Sequence, residues 1–478
     1  MQKNKPECYD DSVVDQARVQ TGNEVGDLAM GYFGDYVEVP YDRENYAGMV
    51  EQTQQLLARG VPTICEATFA YRGNLCMVDI LRVRADGVDI IEVKSASEYK
   101  PEYLDDMAYQ CWVLEHCGLT VETVSLMHLN KKYVRSGELD LQELFVLDDR
   151  TEEVRAMQDS VSRGIETLQR ILADPDEPNR RIGEQCFKPH ECGFRSWCWR
   201  DVPAPCVFDI RKIGPAKLDP LFDRGIVSFE DARAHSEQFT SQQLMQIYSY
   251  LDDLPPHIDK ESIRDFLSQL RLPLYFLDFE TFGPAIPPFD GVKPYQQIPS
   301  QYSLHIVHDP DREPEHREFL ATEGTDPRRA VAERLCADIA PGACTVAYHA
   351  AFEKTVLRGL AKAFPDLAIK LTDIADNMYD LEDPFRNGWY YDKAMGGSSS
   401  IKVVLPALFP DDPELDYTRL DGIHDGTGAM EAFARLCEYP PAERAAIRAQ
   451  LLAYCRLDTL AMVRIWQKLR EVTARTDG

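Results

Sequence analysis

Apolar and polar positions change period repeatedly along this chain, and each change marks an element. A helical period over 12–33 gives way to a short strand over 36–40, then resumes over 46–59 until Gly60-Val-Pro62 stops it. Residues 63–71, 75–84 and 88–94 are strand-like and are separated by Arg72-Gly-Asn74 and Ala85-Asp-Gly87, which predicts three strands joined by tight turns. An amphipathic helix is predicted over 101–117, a strand over 123–130, and a long polar helix over 152–173 that runs into the proline-rich Asp174-Pro-Asp-Glu-Pro178. Cysteines concentrate over 186–206, and a polar, mostly helical stretch follows from about 207 to 270. Beyond it strands and helices alternate, ending in an apolar-periodic helix over 445–469. No internal repeat is present. The order predicts an α/β protein divided into 1–180, 181–206, 207–268 and 269–478.

Composition narrows the class. No apolar run is long enough to span a membrane and Met1-Gln-Lys-Asn4 starts no signal peptide, so a cytoplasmic protein is expected. Thirteen cysteines scattered through the chain argue against an extracellular disulfide framework. A net charge of −28 argues against a non-specific nucleic-acid coat protein, although active-site acids and a local basic groove coexist with an acidic exterior.

Two constellations carry chemistry. In Leu274-Tyr-Phe-Leu-Asp-Phe-Glu-Thr281 an apolar strand holds Asp278 and Glu280, whose i, i+2 spacing points both at one face. Two acids in a buried strand are costly unless a cation compensates, and a divalent metal is the usual one. In the C-terminal helix Tyr454 and Asp458 sit i, i+4 on one face. The second constellation is Asp79 in one strand and Glu92 and Lys94, again two apart, in the next, followed by Gln110 in the helix. Two acids with a lysine at a sheet edge suit a metal beside an attacking water.

Asp79, Glu92, Lys94 and Gln110 in this order resemble the PD-(D/E)XK nucleases, in particular the RecB-like branch that includes CRISPR-associated exonucleases. The resemblance implies a restriction-endonuclease-like core in which Asp79 and Glu92 hold metal, Lys94 assists the nucleophile and Gln110 supports the site. Leu114 stands where that branch often has tyrosine, no histidine stands near Thr21-Gly-Asn-Glu-Val-Gly26, and Glu66 is a further carboxylate without an assigned role. Downstream, Asp278-x-Glu280, Tyr348-His-Ala-Ala-Phe-Glu353 and Tyr454-x3-Asp458 resemble the three motifs of the DnaQ-like (DEDDy) 3′–5′ exonucleases, with Glu353 where aspartate is usual. That resemblance implies an RNase H-like domain with a mixed sheet. Asp278, Glu280, Glu353 and Asp458 would hold two Mg²⁺ or Mn²⁺ ions, and Tyr454 would orient water. Asp373 reads equally as a helix cap or a site residue; Lys402 reads first as a solvated lysine, with a phosphate contact as the alternative. Both motif sets together resemble a bacterial family labelled a domain of unknown function.

Cys186, Cys192 and Cys198 are spaced like thiolate ligands on a tight loop. RecB-like nucleases of this kind carry a [4Fe–4S] cluster, with one leading cysteine and three trailing ones that close the two ends of the domain together. The resemblance makes Cys186, Cys192 and Cys198 the trailing trio. Cys8, Cys206 or a residue upstream of Met1 would be the leading ligand, and structural zinc is the alternative. Ile213-Gly-Pro-Ala-Lys217 with Leu221-Phe-Asp-Arg-Gly225 is similar to half of a helix-hairpin-helix, or is a plain connector. The expected function is a metal-dependent nuclease with two nuclease-type domains, acting on DNA in repair or mobile-element defence. A 3′–5′ exoribonuclease, or a nucleic-acid-binding subunit with a silent site, are the alternatives. Protein partners are not indicated.

Overall fold

The computed structural model describes residues 5–13, 15–174, 176–177 and 181–474. Pro175 and Pro178 of the predicted break, and Met1–Asn4, lie outside them. The chain is α/β and divides into two compact units, one of residues 1–181, 189–196 and 283–296, the other of 182–188, 197–282 and 297–478. Among the described residues no helix is long and apolar enough to cross a membrane.

The first unit opens with α1 (Gln16–Met30), later than the periodicity predicts because the Asp15 carboxylate caps it by accepting the Arg18 amide at 3.0 Å. Next come β1 (Val37–Glu38), cut short before Pro40, then α2 (Tyr46–Ala58), β2 (Thr63–Tyr71), β3 (Asn74–Val83) and β4 (Val88–Lys94). They are followed by α3 (Tyr103–His116), β5 (Val121–Leu129), α4 (Leu141–Leu144), β6 (Phe145–Asp149) and α5 (Thr151–Ala173). The six strands form one mixed sheet in sequence order. Parallel β4 and β5 are joined through α3, as a parallel pair requires. Ile64, Ile90 and Leu126 pack on α3 residues such as Met107 and Leu114, whereas Ile80, Ile91 and Met127 pack on Val25 and Ala29 of α1. Residues 283–296, expected within the 269–478 domain, belong to this unit: the Arg135 guanidinium donates to the Pro287 and Pro288 carbonyls at 2.9 and 3.0 Å, and the Tyr295 hydroxyl donates to the Ser95 carbonyl.

The remaining elements are α6 (Arg195–Cys198), α7 (Pro215–Asp223), α8 (Phe229–Ala234), α9 (Ser241–Leu251), β7 (His257–Ile258), α10 (Lys260–Ser268), β8 (Leu274–Phe282), β9 (Ile298–Val307), β10 (Glu315–Leu320) and α11 (Arg328–Asp338). Then follow β11 (Cys344–Ala347), α12 (Ala351–Ala363), α13 (Ala368–Asp376), β12 (Met378–Asp380), α14 (Asp383–Arg386), β13 (Tyr390–Tyr391), α15 (Ile401–Leu408), α16 (Gly426–Ala434) and α17 (Pro441–Ala474). The second unit is built on a five-stranded sheet in the order β10-β9-β8-β11-β12, antiparallel across β10-β9-β8 and parallel across β8-β11-β12. Strand alternation decides what β8 presents to each side. Tyr275, Leu277 and Phe279 pack with residues of α11 and α12, while Leu274 and Phe276 pack with α17. Asp278 and Glu280 continue the second register and are the only positions of β8 that are not fully buried. A register shift between Glu280 and Thr281 bends the strand at this point.

Phe276 anchors this arrangement, fully buried directly before the acids with its ring 6.0 Å from that of Trp466. Phe276→Ala is expected to cost ~3–5 kcal/mol, read as an earlier urea transition with the first unit's sheet still protected in amide exchange.

Candidate metal centres

In the second unit the fold brings Asp278, Glu280, Glu353, Tyr454 and Asp458 into one neighbourhood. Ligand atoms of Asp278, Glu280 and Cys455 lie within 4.8 Å of one another. Glu353, in the first turn of α12, is 4% exposed and electrostatically coupled to Asp278, Glu280 and Asp458, and its Oε2 is buried without a partner. Asp458, 7% exposed on α17, accepts from the Tyr417 hydroxyl at 2.5 Å and from Lys402 Nζ at 3.2 Å. Lys402 Nζ also donates to the Tyr454 hydroxyl at 2.9 Å and lies 3.2 Å from the Tyr417 ring centroid. Lys402 is thus part of the centre and not a solvated surface lysine. Cys455 and Tyr417 were not legible beforehand: Cys455 directly follows Tyr454, but nothing in the sequence points its thiol at Asp278, which it meets at 3.6 Å. Asp373 serves structure instead, accepting from the Gly342 amide at 2.7 Å and from Asn377 Nδ2 at 2.9 Å.

The electrostatics follow from crowding. Burial first, and then the Asp458 charge, push Asp278 well above the usual carboxylate range. Burial, then Asp278 and Asp458, do the same to Glu280, and burial with the other three acids raises Glu353. Burial raises Asp458 as well, against the pull of Lys402 and the Tyr417 hydrogen bond. The Cys455 thiol is pushed up by burial and the neighbouring acids, so it is a hydrogen-bond donor to Asp278 rather than a thiolate. Like charges this close cannot all ionise without a cation. Four hard oxygen donors with one orphaned carboxylate oxygen fit Mg²⁺ or Mn²⁺.

In the first unit β4 and α3 bring Glu92, Lys94 and Gln110 into direct contact. Lys94 Nζ lies 2.7 Å from Glu92 Oε1, and Gln110 Nε2 donates to Glu92 Oε2 at 2.6 Å. Asp79 Oδ2 accepts the Val93 amide at 2.6 Å. Asp106, one helical turn before Gln110, is a contact the sequence reading missed although its i, i+4 spacing signalled it; it takes Lys94 Nζ at 2.8 Å. Burial acts to lower the Lys94 pKa, but Glu92 and Asp106 outweigh it and hold the ammonium protonated. Burial and then Glu92 raise Asp79 well above the carboxylate range. Glu66 joins this cluster: it stands in β2 with a left-handed backbone, φ 57°, and burial, Glu38, Glu92 and Asp27 push it up to about 7.

None of the thirteen cysteines is in a disulfide. Cys192 belongs to the first unit, where the Asp10 amide donates to Gly193 at 2.8 Å and Tyr9 meets Phe194 edge-on at 5.2 Å, so its loop lies on the N-terminal segment. Cys186, 8% exposed, and Cys198 belong to the second unit, beside an aromatic group of Phe187, Trp199, Phe208 and Phe222. Among the described residues no three of these sulfurs lie within 4.8 Å of one another.

Comparison with known proteins adds little to this chemistry. A family model described as "Domain of unknown function (DUF2779)" matches residues 275–400, a span that includes Asp278, Glu280 and Glu353. The chain is 28% identical over 209 residues to "Uncharacterized protein MG366 homolog" of Mycoplasma pneumoniae, a match covering 40% of this chain and 31% of that protein. The alignment thus spans under a third of the relative's length. No solved structure matches.

The raised carboxyls give a pH signature. Without metal the folded acids hold protons that the unfolded chain releases, so their contribution to stability is present at low pH and is lost as pH rises through their elevated values. Metal binding displaces those protons and is favoured at higher pH. The rise in melting temperature on adding Mn²⁺ should therefore be larger at pH 8 than at pH 6; equal or reversed shifts in thermal melts would show that the acids are not the ligands.

Proposed function

We propose that this protein is a metal-dependent phosphodiester hydrolase with two nuclease centres. The observation that supports this most is the close approach of Asp278 and Glu280 in β8, to which Glu353 and Asp458 are electrostatically coupled, with Glu353 Oε2 buried and unpartnered. In the second unit these acids hold Mg²⁺ or Mn²⁺ and the substrate is trimmed from its 3′ end, as the DnaQ-like motifs imply. Bound metal would supply a nucleophilic water at neutral pH and offset charge on the departing 3′ oxygen. Lys402 and Tyr417 fix the Asp458 carboxylate, and the Tyr454 hydroxyl, held by Lys402, is the group that orients the water. The RNase H-like fold is part of this proposal, and the mixed five-stranded sheet is compatible with it.

In the first unit, proposed to be PD-(D/E)XK-like, Asp79 and Glu92 hold the metal and Gln110 fixes the second oxygen of Glu92. Lys94 acts as a resident cation beside the attacking water and not as a base, because Glu92 and Asp106 keep it protonated. The substrate is a polynucleotide, DNA in repair or mobile-element defence, with RNA separated from it by matched degradation assays. A second reading draws on Lys402: an ammonium already paired to Asp458 makes a centre that grips a strand without cutting it.

Asp278→Asn in a Lys94→Ala background should keep the fold and lower 3′–5′ degradation by several orders of magnitude; wild-type degradation by the purified double variant would refute the C-terminal assignment. The single variants should leave different products. Lys94→Ala should spare 3′–5′ trimming and Asp278→Asn should spare cleavage by the first unit, read from 5′- and 3′-labelled strands. Identical residual products would mean one centre instead of two.

A further inference from the structure

Beside the acids of the second unit lies a cleft of about 580 Å³ that the motif residues do not account for. Its lining includes the carboxylates of Asp278, Asp458 and Glu382 together with Arg211, Lys212 and Ser398–Ser400. The volume is in the range of small-molecule sites.

Arg211 is the informative residue. It comes from the helical stretch before α7, outside the five-stranded sheet and its helices, yet is only 6% exposed. One guanidinium nitrogen donates to the Arg386 carbonyl at 2.9 Å, Nε is buried without a partner, and among the described residues no carboxylate pairs with it. A buried charge without a counter-ion is costly, and burial accordingly lowers the Arg211 pKa. Tyr391 and Glu382 pull the Arg211 pKa part of the way back, but Glu382 makes no ion pair with it, its oxygens being taken by Ser399 Oγ at 2.7 Å, His349 Nδ1 at 3.1 Å and Arg386 at 3.1 Å. The segment is also held in place deliberately. Gln246 accepts the Arg211 amide at 2.8 Å, and a Cβ at Gly397 would stand 2.6 Å from the Asp209 carbonyl and 2.8 Å from the Arg211 nitrogen. Next to it Lys212 is exposed and adopts a left-handed backbone, φ 54°.

We infer that Arg211 and Lys212 form a phosphate-binding subsite that receives the backbone of a polynucleotide strand as its end enters the metal centre. This deepens the nuclease reading and rests on it for the identity of the strand. A guanidinium is suited to a phosphodiester because it presents a planar set of donors. The Ser398 and Ser400 hydroxyls line the same cleft, while Ser399 Oγ and His349 Nδ1 are engaged by Glu382.

The test is fluorescence anisotropy of a 5′-labelled single-stranded oligonucleotide with the full chain in EDTA, so that binding is read without turnover. Competition by adenosine 5′-monophosphate and by inorganic phosphate forms a second arm. Arg211→Gln and Lys212→Glu should each weaken oligonucleotide binding at least tenfold and make its salt dependence shallower by about one phosphate contact. The Mn²⁺ thermal shift should stay as in the wild type. Gly397→Ala should weaken binding in the same direction by displacing Arg211. Equal affinity of the wild type and both charge variants overturns the subsite, and the nuclease reading stands if Mn²⁺-dependent cleavage persists. If cleavage is absent while Arg211-dependent binding remains, the nuclease reading fails and the phosphate site survives. Arg211-dependent binding of the monophosphate without the oligonucleotide would overturn the strand as occupant. Should Arg211→Gln fail to fold, the exposed Lys212→Glu decides the matter.

Discussion

Four crowded carboxylates, two in β8 and one each on α12 and α17, constrain the elements around them in the second unit. An ionised carboxylate withdrawn from water is penalised by several kcal/mol, and here Asp278 and Glu280 interrupt a strand whose other seven positions are buried. Part of the penalty is met by protons, as the raised values of all four acids show. Part is met by donors recruited from separate elements: Lys402 from α15, Tyr417 from the loop after it, and Cys455 and Tyr454 from α17. The orphaned oxygen of Glu353 marks what those donors do not cover. Packing of β8 on α17 through Leu274, Phe276 and Trp466 supplies the rigidity that keeps the acids crowded.

The first unit meets the same problem with a cation of its own. Lys94 is paired to both Glu92 and Asp106, so a positive charge is resident whether or not metal is bound. Asp79 and Glu66 remain the strained members, one kept protonated by burial and Glu92, the other in a backbone conformation that a glutamate rarely adopts. A carboxylate raised by burial and its neighbours responds to a divalent ion or to pH, whereas both oxygens of Glu92 already have partners in Lys94 and Gln110.

Local pattern was enough for most of the elements. Strand turns at Arg72-Gly-Asn74 and Ala85-Asp-Gly87, the i, i+2 acids of β8 and the i, i+4 pair of α17 are all properties of a few neighbouring residues, and period and turn chemistry encode them directly. The ends of elements were less legible, because a cap such as Asp15 or a proline such as Pro40 shifts a boundary by a few residues without altering the periodicity.

What the sequence by itself determined was therefore which residue types recur at which spacing: the α/β order, the acid pairs and the Glu92-x-Lys94 step. Only the tertiary structure decided which distant side chains share a volume. Lys402 reads alone as a solvated lysine and Cys455 as a core thiol, and both become members of a charged centre once α15 and α17 pack beside β8. Arg211 is separated from Asp278 by 67 positions of sequence, and no period links them. Contacts of that kind arise from the closure of the chain on its core, where burial and desolvation act between residues that local pattern never compares.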